Sequence, residues 1–209
     1  MKVAGIVLAA GRGTRIGADK NKMLLNLANK TPLELQLQSC REATCLDEVV
    51  LVCKDSEREQ MREIADAIFP EGEVILASGG ATRQDSAYSG ILAASSDCDI
   101  LAVLDGARCF TTPELIENCV RSCIEHGSGV AGCWCTDTVK LADAEGCFLR
   151  TLDRNRLVLG ETPQVFPREI LKLAYEKARE DGFLGTDDSS LVERLGLHPR
   201  LVVSGGNNF

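Results

Sequence analysis

Five apolar runs of strand length punctuate the chain, at residues 3–9, 48–53, 73–77, 100–104 and 129–134. The longer stretches between them read as helices; in segment 82–95, for instance, Tyr88, Ile91 and Leu92 fall at helical spacing. This alternation predicts an α/β sheet. Thr31 followed by Pro32 opens one helix, and Thr112, Pro113 and Glu114 give another an N-cap, a proline in the first turn and an early acid. The rhythm breaks over residues 135–159, where two short alternating runs flank Asp143–Gly146 and predict a β-hairpin arm projecting from the sheet. After it the pattern predicts a helix near 167–181, a helix near 187–195 capped by Thr186, and a last strand near 200–204. Neither a repeat nor a Pro-, Gly- or Ser-rich linker interrupts the pattern, so residues 1–209 are expected to form one domain with the arm as an appendage.

Composition narrows the classes of function. With 44% hydrophobic and 26% charged residues the chain has the make-up of a soluble globular protein. Its apolar runs fall short of the roughly 18 residues a membrane span needs, and no signal peptide is legible, so a cytoplasmic protein with no membrane partner is expected. A formal net charge of -8 disfavours nucleic acid, whose phosphate backbone rewards clustered Lys and Arg. The ten cysteines are scattered singly, without a CxxC pair, and fit free thiols in a reducing compartment. Cys133 and Cys135 form a CxC, but with only His126 and His198 in the chain a zinc site is poorly supported.

Against this acidic background the loop after the first run stands out. "VAGIVLAAGRGTRIGADKNK" places Arg12, Arg15, Lys20 and Lys22 among Gly11, Gly13 and Gly17, with Asp19 alone to offset them. The spacing G-x-G-x-x-x-G departs by one residue from the dinucleotide fingerprint, and the loop does not fit the Walker pattern. Glycines let backbone N–H groups approach a phosphate while basic side chains neutralise the rest, against the plainer alternative of a solvated basic loop. In "VLDGARCF", Asp105 ends a strand where α/β sheets bind ligands and could hold Mg²⁺ against phosphates, with Arg108 as an anion grip; a turn-capping Asp is the alternative. "SGGATRQDS" offers Gly79 and Gly80 for close approach, and Arg83 and Ser86 to contact a nucleotide or brace the loop. The arm carries Asp137, Thr138, Lys140, Asp153, Arg154 and Arg156, too polar for a core strand; a hairpin with little apolar cover of its own suggests a partner subunit.

Together "LAAGRGTRIGADKNK", "SGGATRQDS", "LDGARCFTTPELI", "TDTVK", "LDRNRL", "TPQVF" and "TDDSSLVE" resemble, in order and over nearly the whole chain, the motifs of the 2-C-methyl-D-erythritol 4-phosphate cytidylyltransferases of isoprenoid precursor synthesis. The resemblance implies a Rossmann-like nucleotidyltransferase fold with a mostly parallel central sheet, and transfer of CMP from CTP to methylerythritol phosphate with release of pyrophosphate. It implies that Ala9, Ala10, Gly11 and Gly13 wrap the CTP phosphates, that Arg15 and Lys22 stabilise the reacting α-phosphate, and that Gly80 and Ser86 recognise the cytidine. Asp105 would approach Mg²⁺ and CTP, Arg108 and Thr186 would hold the polyol phosphate, and Thr138 and the catalytic Arg154 would come from a partner's arm across a homodimer. Asn21 stands where the family usually has proline, Leu104 where histidine is common, and Gly106 and Cys109 where alanine and proline flank Asp105; these departures question loop rigidity more than chemistry.

A phosphomonoester, with a second pKa of about 6, is largely dianionic at neutral pH and needs no general base as nucleophile, which suits a chain with two histidines. Ribitol 5-phosphate cytidylyl transfer is the alternative within the class, and a catalytically impaired nucleotide-binding dimer the alternative outside it. In the family the segment matching "VVSGGNNF" runs on through a lysine and a terminal helix, so a shortened form or a weakened enzyme is expected of residues 1–209.

Overall fold

The computed structural model describes residues 1–11, 21–27 and 29–208. Its central sheet has seven strands: β1 (Val3–Leu8), β2 (Glu48–Cys53), β3 (Ile75–Ser78), β4 (Ile100–Asp105), β5 (Gly129–Trp134), β8 (Val158–Pro167) and β9 (Leu201–Val203), in the order β3-β2-β1-β4-β8-β5-β9. Only β8 runs antiparallel to its neighbours. The first strands are continuous apolar runs because both faces are covered. Along β1, Val3 and Val7 point into one core while Ala4 and Ile6 point into the other. Helices α1 (Pro32–Glu42), α2 (Arg58–Asp66) and α4 (Pro113–His126) cover the first face; α3 (Arg83–Ala93), α5 (Arg168–Glu180) and α6 (Asp188–Glu193) cover the second.

The predicted punctuation holds at two helix starts, Thr31 and Thr112, and Thr82 caps a third in the same way. Thr31, Thr82 and Thr112 each accept an N–H from the first turn through their side chains, and Pro32 and Pro113 occupy the first helical positions. One start differs from expectation. The cap of α6 is Asp187, not Thr186: Asp187 Oδ1 accepts the Ser190 N–H at 2.9 Å, so the helix begins at Asp188.

The hairpin arm is present, with β6 (Lys140–Ala142) and β7 (Phe148–Thr151) paired antiparallel outside the main sheet. Asp143 Oδ1 accepts the N–H groups of Glu145 and Cys147, and Gly146 takes the positive φ of 85° that closes the turn. The sequence pattern does not predict strand β8. Pro163 and Gly160 break its rhythm, and proline argues against a central strand. The structure tolerates Pro163 because the β5–β8 register shifts between Val130 and Gly132, and the β4 ladder ends at Gln164, so no paired N–H is demanded there.

Among the described residues all ten cysteines are free thiols. Burial pushes Cys40, Cys119 and Cys123 up to about 12, which makes them neutral packing groups in the first core.

Candidate active site at the carboxyl ends of β1 and β4

From β1 the chain proceeds to β2 and β3 on one side and returns to β4 on the other, so a crevice opens between the carboxyl ends of β1 and β4. There Leu8 and Asp105 stand in register. A cavity of about 580 Å³ occupies this position, within the range of small-molecule sites. It brings together Ala10, Gly11, Lys22, Gly80, Ser86, Asp105 and Arg108 from the predicted set. Ala9 lies buried behind them, its N–H donating to the Val52 carbonyl at 2.8 Å. Gly13 and Arg15, with Arg12 and Lys20, fall outside the described residues. Thr138, Arg154 and Thr186 are exposed and do not line the cavity of their own chain.

Lys22 is aimed by a short 3-10 turn, Lys22–Leu24, which Asn21 caps. The buried Asn21 side chain accepts the Met23 N–H at 3.1 Å and donates to the Ala9 carbonyl at 2.9 Å and to Glu57 at 2.7 Å. The last two bonds fasten Asn21 to the end of β1 and to the segment before α2, supplying the rigidity a proline would otherwise give. No carboxylate pairs with Lys22 among the described residues. Gly106 is required by its surroundings: a Cβ there would meet Met23 Cε at 2.6 Å and the Leu8 carbonyl at 2.9 Å, so the Met23 side chain takes the space an alanine methyl needs.

The Gly79–Thr82 loop is braced from within. The Ser86 hydroxyl accepts the Gly80 N–H at 3.0 Å and donates to the Thr82 carbonyl at 2.9 Å. A side chain at Gly79 would collide with Ala10 Cβ at 2.3 Å, so the loop lies directly against the glycine-rich loop. The amino end of α3 also faces this cavity, with Thr82 and Arg83 in its lining, and unpaired helix N–H groups favour an anion.

Arg83 does more than the sequence indicated. Its Nε donates to Asp105 Oδ1 at 3.0 Å, and its Nη2 donates to Asp188 Oδ2 at 2.9 Å. Burial works against the guanidinium charge, but the two carboxylates outweigh it and hold the group above its usual pKa. Asp188 is fully buried and also accepts a hydrogen bond from Tyr175, whose own pKa burial and that carboxylate raise well above normal. Asp188 was legible only as part of the "TDD" run, because its partner lies 105 residues away.

Asp105 is a third exposed, its N–H held by Thr162 Oγ1 at 2.9 Å. Among the described residues no group of three or more His, Cys, Asp or Glu could cage a metal. One hard carboxylate facing this cavity does fit Mg²⁺, which is typically bound through one or two carboxylates together with substrate phosphates. Arg108 also lines the cavity, and it donates from Nη1 to the Asn208 carbonyl at 2.7 Å.

Known proteins share this fold. The family model described as 2-C-methyl-D-erythritol 4-phosphate cytidylyltransferase matches residues 3–209. The chain is 37% identical over 203 residues to the protein of that name from Caldanaerobacter subterraneus subsp. tengcongensis, covering 97% of this chain and 89% of the relative. It is 39% identical over 206 residues to that from Shouchella clausii, covering 98% and 88%. The crystal structure of the 2-C-methyl-D-erythritol 4-phosphate cytidylyltransferase from Thermus thermophilus matches it with a TM-score of 0.80 at 28% identity, covering 100% of this chain and 92% of that one.

Proposed function

Since the chain belongs to the 2-C-methyl-D-erythritol 4-phosphate cytidylyltransferase family, we propose that the cleft at β1 and β4 transfers CMP from CTP to 2-C-methyl-D-erythritol 4-phosphate and releases pyrophosphate. The observation that carries this reading is the convergence of Lys22, Asp105, Arg108 and the braced Gly80 loop on one cavity. The acceptor phosphate attacks as its dianion. Neither histidine lines the cavity, in keeping with a reaction that needs no protein base. What the α-phosphorus requires is charge neutralisation and in-line positioning.

Lys22 supplies positive charge beside the reacting phosphate, and Gly11 leaves room for the triphosphate to lie against the backbone, since among the described residues nothing comes within 4 Å of a Cβ there. The Gly80 loop recognises the cytosine through its backbone, held in shape by Ser86. Arg108 receives the acceptor phosphate. Asp105, with Oδ1 oriented by Arg83, would hold Mg²⁺ through the remaining oxygen. Bound there with the phosphates, Mg²⁺ would neutralise charge developing on the pyrophosphate leaving group.

The arm is proposed to complete the site across a homodimer. Phe148 and Leu149 on β7 are 74% and 60% exposed, and Leu141 faces solvent beside them. Such a patch on a two-stranded ribbon is stabilised by burial against a second subunit. Arg154 Nη1 donates to the Thr136 carbonyl at 2.8 Å, which keeps it close to Thr138 at the arm's base, ready to be presented to the neighbour.

The test is pyrophosphate release from CTP with 2-C-methyl-D-erythritol 4-phosphate and, separately, with ribitol 5-phosphate. The reading expects kcat/KM for the first to exceed that for the second by about 10²-fold or more, as a site built around one acceptor's hydroxyls requires. Equal or reversed preference would assign the chain to the ribitol reaction instead.

A further inference from the structure

Asn208 is marked by no sequence motif, yet it is 2% exposed and ties together the segments that carry Asp105 and Arg108. Its Nδ2 donates to Glu161 Oε2 at 3.0 Å and to the Thr162 carbonyl at 2.8 Å. The Thr162 carbonyl can only accept, which fixes the amide orientation and turns Oδ1 toward Thr111. The Thr111 hydroxyl lies 2.7 Å from that Oδ1 and 2.8 Å from the Arg108 carbonyl, and shares its proton between them. Finally the Asn208 backbone carbonyl accepts Arg108 Nη1 at 2.7 Å.

The effect is a knot with two ends. One runs from Asn208 through Thr162, whose Oγ1 holds the N–H of Asp105. The other holds Arg108 twice, at its guanidinium and at its own carbonyl through Thr111. Among the described residues one further hydrogen bond restrains that guanidinium, a long 3.5 Å donation from Nη2 to the Gly160 carbonyl. Its Nε is buried without a hydrogen-bond partner, so these bonds through Nη1 and Nη2 are what set the guanidinium's place at the cavity wall. A flexible arginine fixed before its anion arrives loses less conformational entropy on binding.

We propose that Asn208 is a positioning residue for the acceptor phosphate, acting through Arg108. This rests on the reading above that Arg108 receives that phosphate. Asn208 touches no substrate; it orders the guanidinium that does.

The experiment is a double-mutant cycle on the full chain with Asn208→Ala and Arg108→Ala, reading KM for methylerythritol phosphate, KM for CTP, and kcat separately. Asn208→Ala is expected to raise the acceptor KM about tenfold while the CTP KM stays within about twofold, and to add little once Arg108 is already alanine. Should Asn208→Ala fail to fold, Thr111→Val removes the hydroxyl that joins Asn208 Oδ1 to the Arg108 carbonyl and is expected to give the same selective rise at about threefold. If Arg108→Ala raises the acceptor KM but the Asn208 or Thr111 variant leaves it unchanged, or raises both KM values equally, the positioning role is wrong while the reading of Arg108 stands. If Arg108→Ala itself leaves the acceptor KM unchanged, that reading fails and the role of Asn208 falls with it.

Discussion

Lys22 carries the heaviest demand placed on one side chain. A charge aimed at the α-phosphorus is worth most when the transition state forms, so Lys22→Ala is expected to lower kcat by about 10²–10³ with a far smaller change in CTP affinity. Single-turnover kinetics at saturating CTP and Mg²⁺ checks this; near-normal kcat would remove Lys22 from the chemistry. The basic loop was legible because charge of one sign is conspicuous in an acidic chain. What aims Lys22 was not. Asn21 reads on its own as a departure that loosens the loop, and its anchors, the Ala9 carbonyl and Glu57, lie 12 and 36 residues away. Arg83 and Asp188 make the same point more strongly, since an ion pair between distant residues leaves no local pattern for a sequence reading to find.

At the scale of the element, apolar runs buried on both faces identified β1, β2 and β4 directly, and turn chemistry identified the hairpin. Strand β8 escaped because its tolerance of Pro163 comes from where two neighbouring ladders end, a property of the assembled sheet. The start of α6 was misplaced by one residue, since Thr186 and Asp187 are both good caps and only the folded hydrogen bond to Ser190 chooses. That cap makes a pH prediction. Burial opposes the Asp187 charge, but donation from Gln164, the Ser190 N–H and Ser189 outweighs it and holds the carboxyl below its usual range. A depressed folded pKa means the contribution is fully present above the unfolded value of about 3.9 and is lost as pH falls through the folded value. The difference in Tm between the parent chain and Asp187→Asn should therefore be constant near neutrality and shrink below about pH 4. A difference that does not change down to about pH 2 would contradict this account of the cap.

For the whole molecule, the proposal of a homodimer with shared sites has a sharp consequence. An inactive Arg154→Ala chain and an inactive Lys22→Ala chain, mixed and allowed to exchange subunits, should regain activity, because some heterodimers contain one intact site. No recovery after verified exchange, or monomeric behaviour at micromolar concentration, would show that the arm serves another purpose. The central claim is narrower than assembly: the acceptor's own phosphate oxygen attacks the α-phosphorus of CTP within the cleft of β1 and β4. Phosphorus NMR of the reaction run with 2-C-methyl-D-erythritol 4-phosphate bearing ¹⁸O on its phosphate reads that bond directly. The account predicts an isotope shift on the cytidylyl phosphorus, from an ¹⁸O bridge brought by the acceptor, and unlabelled pyrophosphate. Label in the pyrophosphate, or a cytidylyl phosphorus without the shift, would contradict it.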